Sequence, residues 1–157
     1  LGHDRQRLYV CLEVTDDQIA TDDTNRELND GVQFFWDGRP APVRDGKHGV
    51  GTGHLVFRVP AEGQVPESIR VMGERPVPQG FTSAIRRTAT GYVCEFSLPL
   101  SEMGLTVPVE KGREILIEVK VDDRDIVDGK RAFSSMNISG RRGIAETTAH
   151  YARCTFR

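Results

Sequence analysis

An antiparallel β-sandwich of the immunoglobulin or jelly-roll type is the fold this sequence predicts. Three observations carry the expectation. The dominant hydrophobic period is two residues, the periodic runs are short and rich in β-branched and aromatic side chains, and Gly, Pro, Asp and Asn separate them. A single domain spanning 1–157 accommodates all of them, since no internal repeat or shift in composition marks a second.

The elements follow in order. In "RLYVCLEVTDD", Leu8, Val10, Leu12 and Val14 share one face while Tyr9, Cys11 and Glu13 share the other. In "LNDGVQFFWDG", a turn-forming Leu-Asn-Asp-Gly runs into a strand whose faces differ. Val32, Phe34 and Trp36 form a wholly apolar set that belongs in the core, so Trp36 is expected to pack inward. Gln33, Phe35 and Asp37 point the other way. "HLVFRVP" places Leu55, Phe57 and Val59 opposite His54, Val56 and Arg58. "PESIRVMG" and "TSAIRRTAT" are weaker strand candidates joined by the Pro-rich "ERPVPQG". "GYVCEFSLPL" and "REILIEVKVDD" read as further strands, and the alternating tail "TTAHYARCTFR" is expected to close a sheet. The one plausible helical turn is "SEMGL", with Ser101 as its cap. "DDRDIVDGK" reads as a loop, and the connection from Asp37 to Gly53 is long for a hairpin, as functional or mobile loops often are.

Composition excludes several classes. The chain has 21 Lys+Arg against 23 Asp+Glu, without the basic surplus of a nucleic-acid binder. No stretch approaches the roughly 18 apolar residues that span a bilayer. The sequence starts at Leu1, so it is expected to be a piece of a larger protein. Cys11, Cys94 and Cys154 form no CxxC pair, which argues against zinc. They read as buried free thiols, with one disulfide plus a leftover thiol as the alternative. No HExxH, phosphate-loop lysine or ordered Ser-His-Asp set is present, so no catalytic residue is assigned.

Several of these pieces occur in a recognisable order. "LYVCLEVTDD", "NDGVQFFWDG", "GYVCEFSLPLSEMGL" and "GREILIEVKVDDRD" with "GKRAF" resemble the family-nine carbohydrate-binding modules and, more distantly, DOMON-type sandwich domains. The resemblance runs from about Leu8 to the C-terminus. It implies a sugar-binding sandwich face, structural calcium, and a role as a non-catalytic accessory domain of a secreted polysaccharide-active protein. Its neighbours would be domains of the same parent chain, such as a glycoside hydrolase or lyase. Such modules usually carry one or two strands before the Leu-Tyr-Val strand, so the sandwich is expected to lack its first strands. Carried over residue by residue, the resemblance places hydrogen-bonding groups at Gln33, Arg58 and Lys120. The family's paired sugar-clamping tryptophans would fall near Glu27 and in "SGRRG", where Arg141 and Arg142 stand instead. With one Trp in the chain, no two-tryptophan clamp can form.

Gln33, Phe35, Arg58 and Lys120 share a solvent-facing side by alternation, and Arg141 and Arg142 lie on a loop that could overhang it. A guanidinium fork suits carboxylate or sulfate, so the expected ligand is an acidic oligosaccharide or polysaccharide. Phe35, or Tyr9, would be the apolar platform for a sugar ring. For calcium, Asp16, Asp17, Asp22 and Asp23 crowd one loop and Asp122, Asp123, Asp125 and Asp128 another; the family resemblance makes Asp16 and Asp17 the preferred ligands. The location expected is extracellular or periplasmic. The competing reading is a structural or protein-interaction sandwich that has lost its sugar site.

Overall fold

A computed structural model describes residues 1–21, 28–63, 70–71 and 77–157, the side chains of 70 and 71 excepted. Twelve strands are present among them: β1 (Gly2–His3), β2 (Arg7–Thr15), β3 (Gly31–Asp37), β4 (Thr52–Arg58), β5 (Arg70–Val71), β6 (Thr82–Thr88), β7 (Gly91–Pro99), β8 (Glu114–Asp123), β9 (Ile126–Val127), β10 (Lys130–Arg131), β11 (Ser134–Asn137) and β12 (Ala152–Thr155). One sheet runs β1-β2-β7-β6. The other runs β11-β8-β3-β4-β5, with β12 paired to the first half of β8. Pairing within both is antiparallel. The predicted sandwich is the fold observed.

The core lies where the two apolar faces meet. Leu8 and Val10 of β2 and Tyr92, Cys94, Phe96 and Leu98 of β7 pack against Val32, Phe34 and Trp36 of β3, Leu55 and Phe57 of β4, and Ile115, Ile117 and Val119 of β8. Phe96 sits edge-on to Phe34 at 5.0 Å and stacks on Phe57 at 4.8 Å. Each such buried side chain contributes about 1.5–3 kcal/mol of transfer free energy. Trp36 turns inward as expected, and its cross-strand partner shows why it fits. Gly53 stands opposite it, and a Cβ there would lie 2.0 Å from the indole.

Differences from the sequence reading are local. "TSAIRRTAT" does form a strand, whereas "PESIRVMG" is described only at Arg70–Val71, its remainder lying outside the described residues. Ser101 does not cap. It lies inside a 3-10 turn, Leu100–Met103, whose N-cap position is Pro99 and which makes no side-chain cap bond. Burial of Leu100 and Met103 and the left-handed Gly104 (φ 79°) define that turn instead. "DDRDIVDGK" contains a hairpin rather than a plain loop. Asp128 (φ 52°) and Gly129 (φ 71°) are both left-handed, the two-residue turn that matches strand twist, and it joins β9 to β10. The tail pairs with β8 over Ala152–Thr155, and Phe156 continues with backbone hydrogen bonds to Arg113 and Gly112, both at 2.9 Å.

The long loop after β3 is tied down. Arg39 reaches Asp37 at 2.8 Å, Asp45 at 3.0 Å and the Lys47 carbonyl at 2.7 Å, while Arg44 pairs with Glu114 at 2.7 Å. All three cysteines are free thiols. Cys94 is buried, Cys154 half-buried, and Cys11 exposed on the outer face of β2, against the expectation that it is buried.

Candidate functional site

The outward face of the β11-β8-β3-β4 sheet brings together most of the residues singled out above. Register places Gln33 opposite Lys120, Phe35 opposite Glu118 and His54, and Gly31 between Arg58 and Asp122. Ser135 and Asn137 join the same face, opposite Asp122 and Lys120.

Asp122 organises this surface. Its carboxylate has no solvent exposure, and its Oδ2 accepts from Gln33 Nε2 and Arg58 Nη1, both at 2.6 Å. Lys120 Nζ sits 2.7 Å from Oδ1, an ion pair outside hydrogen-bonding direction. Burial alone would raise the carboxyl pKa. Lys120, Gln33 and Arg58 outweigh it and hold the group below the usual carboxylate range. Gly31 makes the arrangement possible, because a Cβ there would lie 2.0 Å from the Phe57 carbonyl oxygen and 3.1 Å from Arg58 Cδ.

An ionised Asp122 obliges Gln33 to present its amide N–H, which leaves Gln33 Oε1 to accept from His54 Nε2 at 2.7 Å. His54 is therefore a donor at Nε2. Burial, with His48, Lys120 and Arg58 adding to it, pushes its pKa down to about 3, so the ring is neutral.

The rest of the face is covered. Glu118, fully buried, accepts backbone N–H groups of Ile138 at 2.8 Å and Ser139 at 3.2 Å, and Thr148 Oγ1 donates to buried Asp37 at 2.8 Å. Those bonds strap residues 138–148 across the sheet. Beneath the strap Phe35 is sealed, stacked on His54 at 3.8 Å and packed with Leu116, Ile144 and Tyr151. The expected platform at Phe35 is therefore corrected: with no exposed surface, it cannot meet a sugar ring. Tyr9 is corrected too. It lies on β2, in the other sheet, with its hydroxyl bonded to Asp4 at 2.7 Å.

A groove of about 660 Å³ remains between β11 and the 140–146 segment. Gln33, Lys120, Arg141 and Arg142 line it, with Asn137 and Glu146, and Phe35 lies under its floor. Arg58 does not line it; the guanidinium lies to one side, committed to Asp122. The Arg141 and Arg142 guanidinium groups make no hydrogen bond or ion pair with any described residue; their backbone carbonyls accept from Asn137 and His150, and the Arg141 backbone N–H donates to Ser139 Oγ at 3.3 Å. Sequence reasoning missed Asp122 as the hub because it was read as part of an acidic turn. It missed His54, and it missed Phe133, which is half-exposed beside Lys120. In-out alternation along β8 was the available signal for Asp122.

Over residues 1–154 the sequence matches the family described as carbohydrate family 9 binding domain-like. The chain belongs to that family. Family 9 modules are non-catalytic carbohydrate-binding domains, and this chain is one of them. Two solved structures share the fold: a carbohydrate binding module family 9 from Caldicellulosiruptor kristjanssonii in complex with glucose, and one from the same organism in complex with cellotriose. Each superposes with a TM-score of 0.75 at 18% identity over 98% of this chain, covering 72% and 70% of the respective partner. A search of the curated proteins finds no match.

The module also gathers acidic groups from two turns. Carboxylate oxygens of Asp16, after β2, and of Asp123 and Asp125, at the end of β8, all lie within 4.8 Å of one another. Asp17 falls outside that set, and Asp22 and Asp23 lie outside the described residues. Partial desolvation, then Asp123, Asp17 and Asp16, raise the Asp125 pKa. Fully buried Asp30 accepts the backbone N–H of Ala20 at 2.5 Å and of Arg124 at 2.6 Å, which fastens the two acidic turns together. No helix among the described residues is long and apolar enough to cross a membrane.

Proposed function

We propose that this module binds an acidic glycan, uronate-containing or sulfated, in the groove between β11 and the 140–146 segment. One observation carries the reading. The cations on the sheet itself are engaged, Arg58 and Lys120 sharing the Asp122 carboxylate, whereas Arg141 and Arg142 line the groove without an acidic partner among the described residues. Glu146 opposes one of these two charges, so the groove keeps a cationic excess. A guanidinium matches carboxylate or sulfate with two parallel hydrogen bonds. Where the second tryptophan that would clamp a neutral sugar end is expected, Arg141 and Arg142 stand instead, and they favour a charged one.

The resemblance to family 9 structures in complex with glucose and cellotriose supports a glycan as the ligand class. In its parent protein the module would be an extracellular accessory domain that holds a polysaccharide beside neighbouring domains. Calcium suits the Asp16, Asp123 and Asp125 oxygens, which are hard donors from two turns within 4.8 Å of one another. When bound it would supply charge compensation and cross-link those turns.

A glycan panel tests the reading. Polygalacturonate, alginate and sulfated galactans should retain the module in affinity electrophoresis at low salt, with retention falling as salt rises. Arg141→Gln combined with Arg142→Gln should abolish that retention. Retention by neutral β-glucans alone would overturn the acidic assignment, and retention by none would favour a spacer or protein-interaction domain.

A further inference from the structure

The geometry points to a second sugar subsite on the same face, built from Phe133 and Arg124, which extends the groove toward the β9–β10 hairpin; it rests on the glycan-binding reading above. Alternation places it there. Ser135 and Asn137 lie opposite Asp122 and Lys120 on the outward face, and Ser134 pairs with Asp123. One step further, Phe133 falls opposite Arg124, on the face that carries Asp122 and Lys120. Phe133 is 52% exposed, so this face does present an aromatic to solvent, although it is not the one on β3.

The ring is held in place. The Arg124 guanidinium carbon lies 3.9 Å from its centroid, and Lys120 Nζ, which also lines the groove, lies 5.2 Å away. Cations at these distances fix an aromatic ring through its quadrupole. Arg124 has no carboxylate partner among the described residues, and its buried Nε is without a hydrogen bond. Lys120, by contrast, is committed to Asp122. A rigid apolar ring beside an uncompensated guanidinium suits one chemical unit: a pyranose with a carboxylate, its C–H face on Phe133 and its anion on Arg124. With Arg141 and Arg142 at the groove, the face then offers two anion positions, joined through Lys120. It would take an internal stretch of an acidic chain rather than a single terminal sugar.

Calorimetric titration with oligogalacturonides, from disaccharide to hexasaccharide, and with their methyl esters tests this. Affinity for the free acids should rise with length as the second subsite fills. Phe133→Ala should weaken hexasaccharide binding about tenfold or more, equivalent to about 1.4 kcal/mol, while Phe133→Trp retains it. Arg124→Gln should weaken the free acid but not the ester, with an unchanged melting midpoint showing that the fold is intact. If the unaltered module binds the hexasaccharide and Phe133→Ala leaves affinity within about twofold, the subsite is wrong while the groove assignment stands. If the unaltered module binds neither acid nor ester, both fail.

Discussion

At the scale of single residues, the binding face is governed by one carboxylate that faces no solvent. Asp122 receives Arg58, Lys120 and Gln33, and through Gln33 it determines which nitrogen of His54 carries a proton. Such a group is costly to remove, because its partners remain. Lys120 is mostly covered and would lose the carboxylate it pairs with, and breaking a buried pair in this way destabilises proteins by about 3–5 kcal/mol. Asp122→Ala should therefore lower the unfolding free energy in urea by about 3 kcal/mol or more. A loss below about 1 kcal/mol would show that the cations find water or other partners, and that Asp122 does not organise the face. The contrast between Phe35 and Phe133 belongs to this scale as well. Both are outward by alternation, yet a strap anchored on Glu118 and Asp37 seals the first and leaves the second half-exposed.

At the scale of elements, the turns that end β2 and β8 meet because Asp30, just before β3, accepts a backbone N–H from each segment. The consequence is electrostatic. Asp16, Asp123 and Asp125 are drawn close, and the nearby Asp123 and Asp16 carboxylates help raise the Asp125 pKa. A divalent cation would reverse that repulsion. A ligand present at about a hundred times its dissociation constant stabilises the state it binds by about 2.7 kcal/mol, and a chain of this size gains about 2–4 °C per kcal/mol. Calcium should thus raise the melting midpoint by about 5 °C or more relative to chelator. Asp16→Asn with Asp123→Asn should remove the increment and raise the midpoint in chelator. An identical midpoint with calcium and with chelator would refute a calcium site at these turns.

At the scale of the whole molecule, what was legible followed from period two. Strands with one apolar face, such as β2, β3 and β7, announced themselves, and Trp36 could be placed inside because Val32 and Phe34 share its side. Long-range closure was not legible. Nothing local in "NISGRRGIAETTAH" says that Ile138 and Ser139 will cap Glu118, and so nothing warned that Phe35 would be covered. The β9–β10 hairpin was hidden because its strands are two residues long, too short to show alternation, although its Asp-Gly pair was visible. Two buried ionisable groups then give the molecule an acid response that neither would show alone. His54 is held down to about 3, so the unfolded chain takes up a proton that the folded one refuses, and stability falls as pH drops from about 6.5 toward 3. Asp30, raised to about 6 first by burial, has the opposite sign: the folded state holds a proton that the unfolded chain has released, and stability falls as pH rises from about 3.8 to 6. Across that shared window the two slopes, each about 1.4 kcal/mol per pH unit at most, oppose one another. In chelator, the unaltered module should show nearly level stability between about pH 4 and 6. His54→Gln should expose the falling slope and Asp30→Asn the rising one, both read from urea midpoints across that range. Slopes of the same sign in the two variants would mean that at least one of these groups is not held in the protonation state its surroundings dictate.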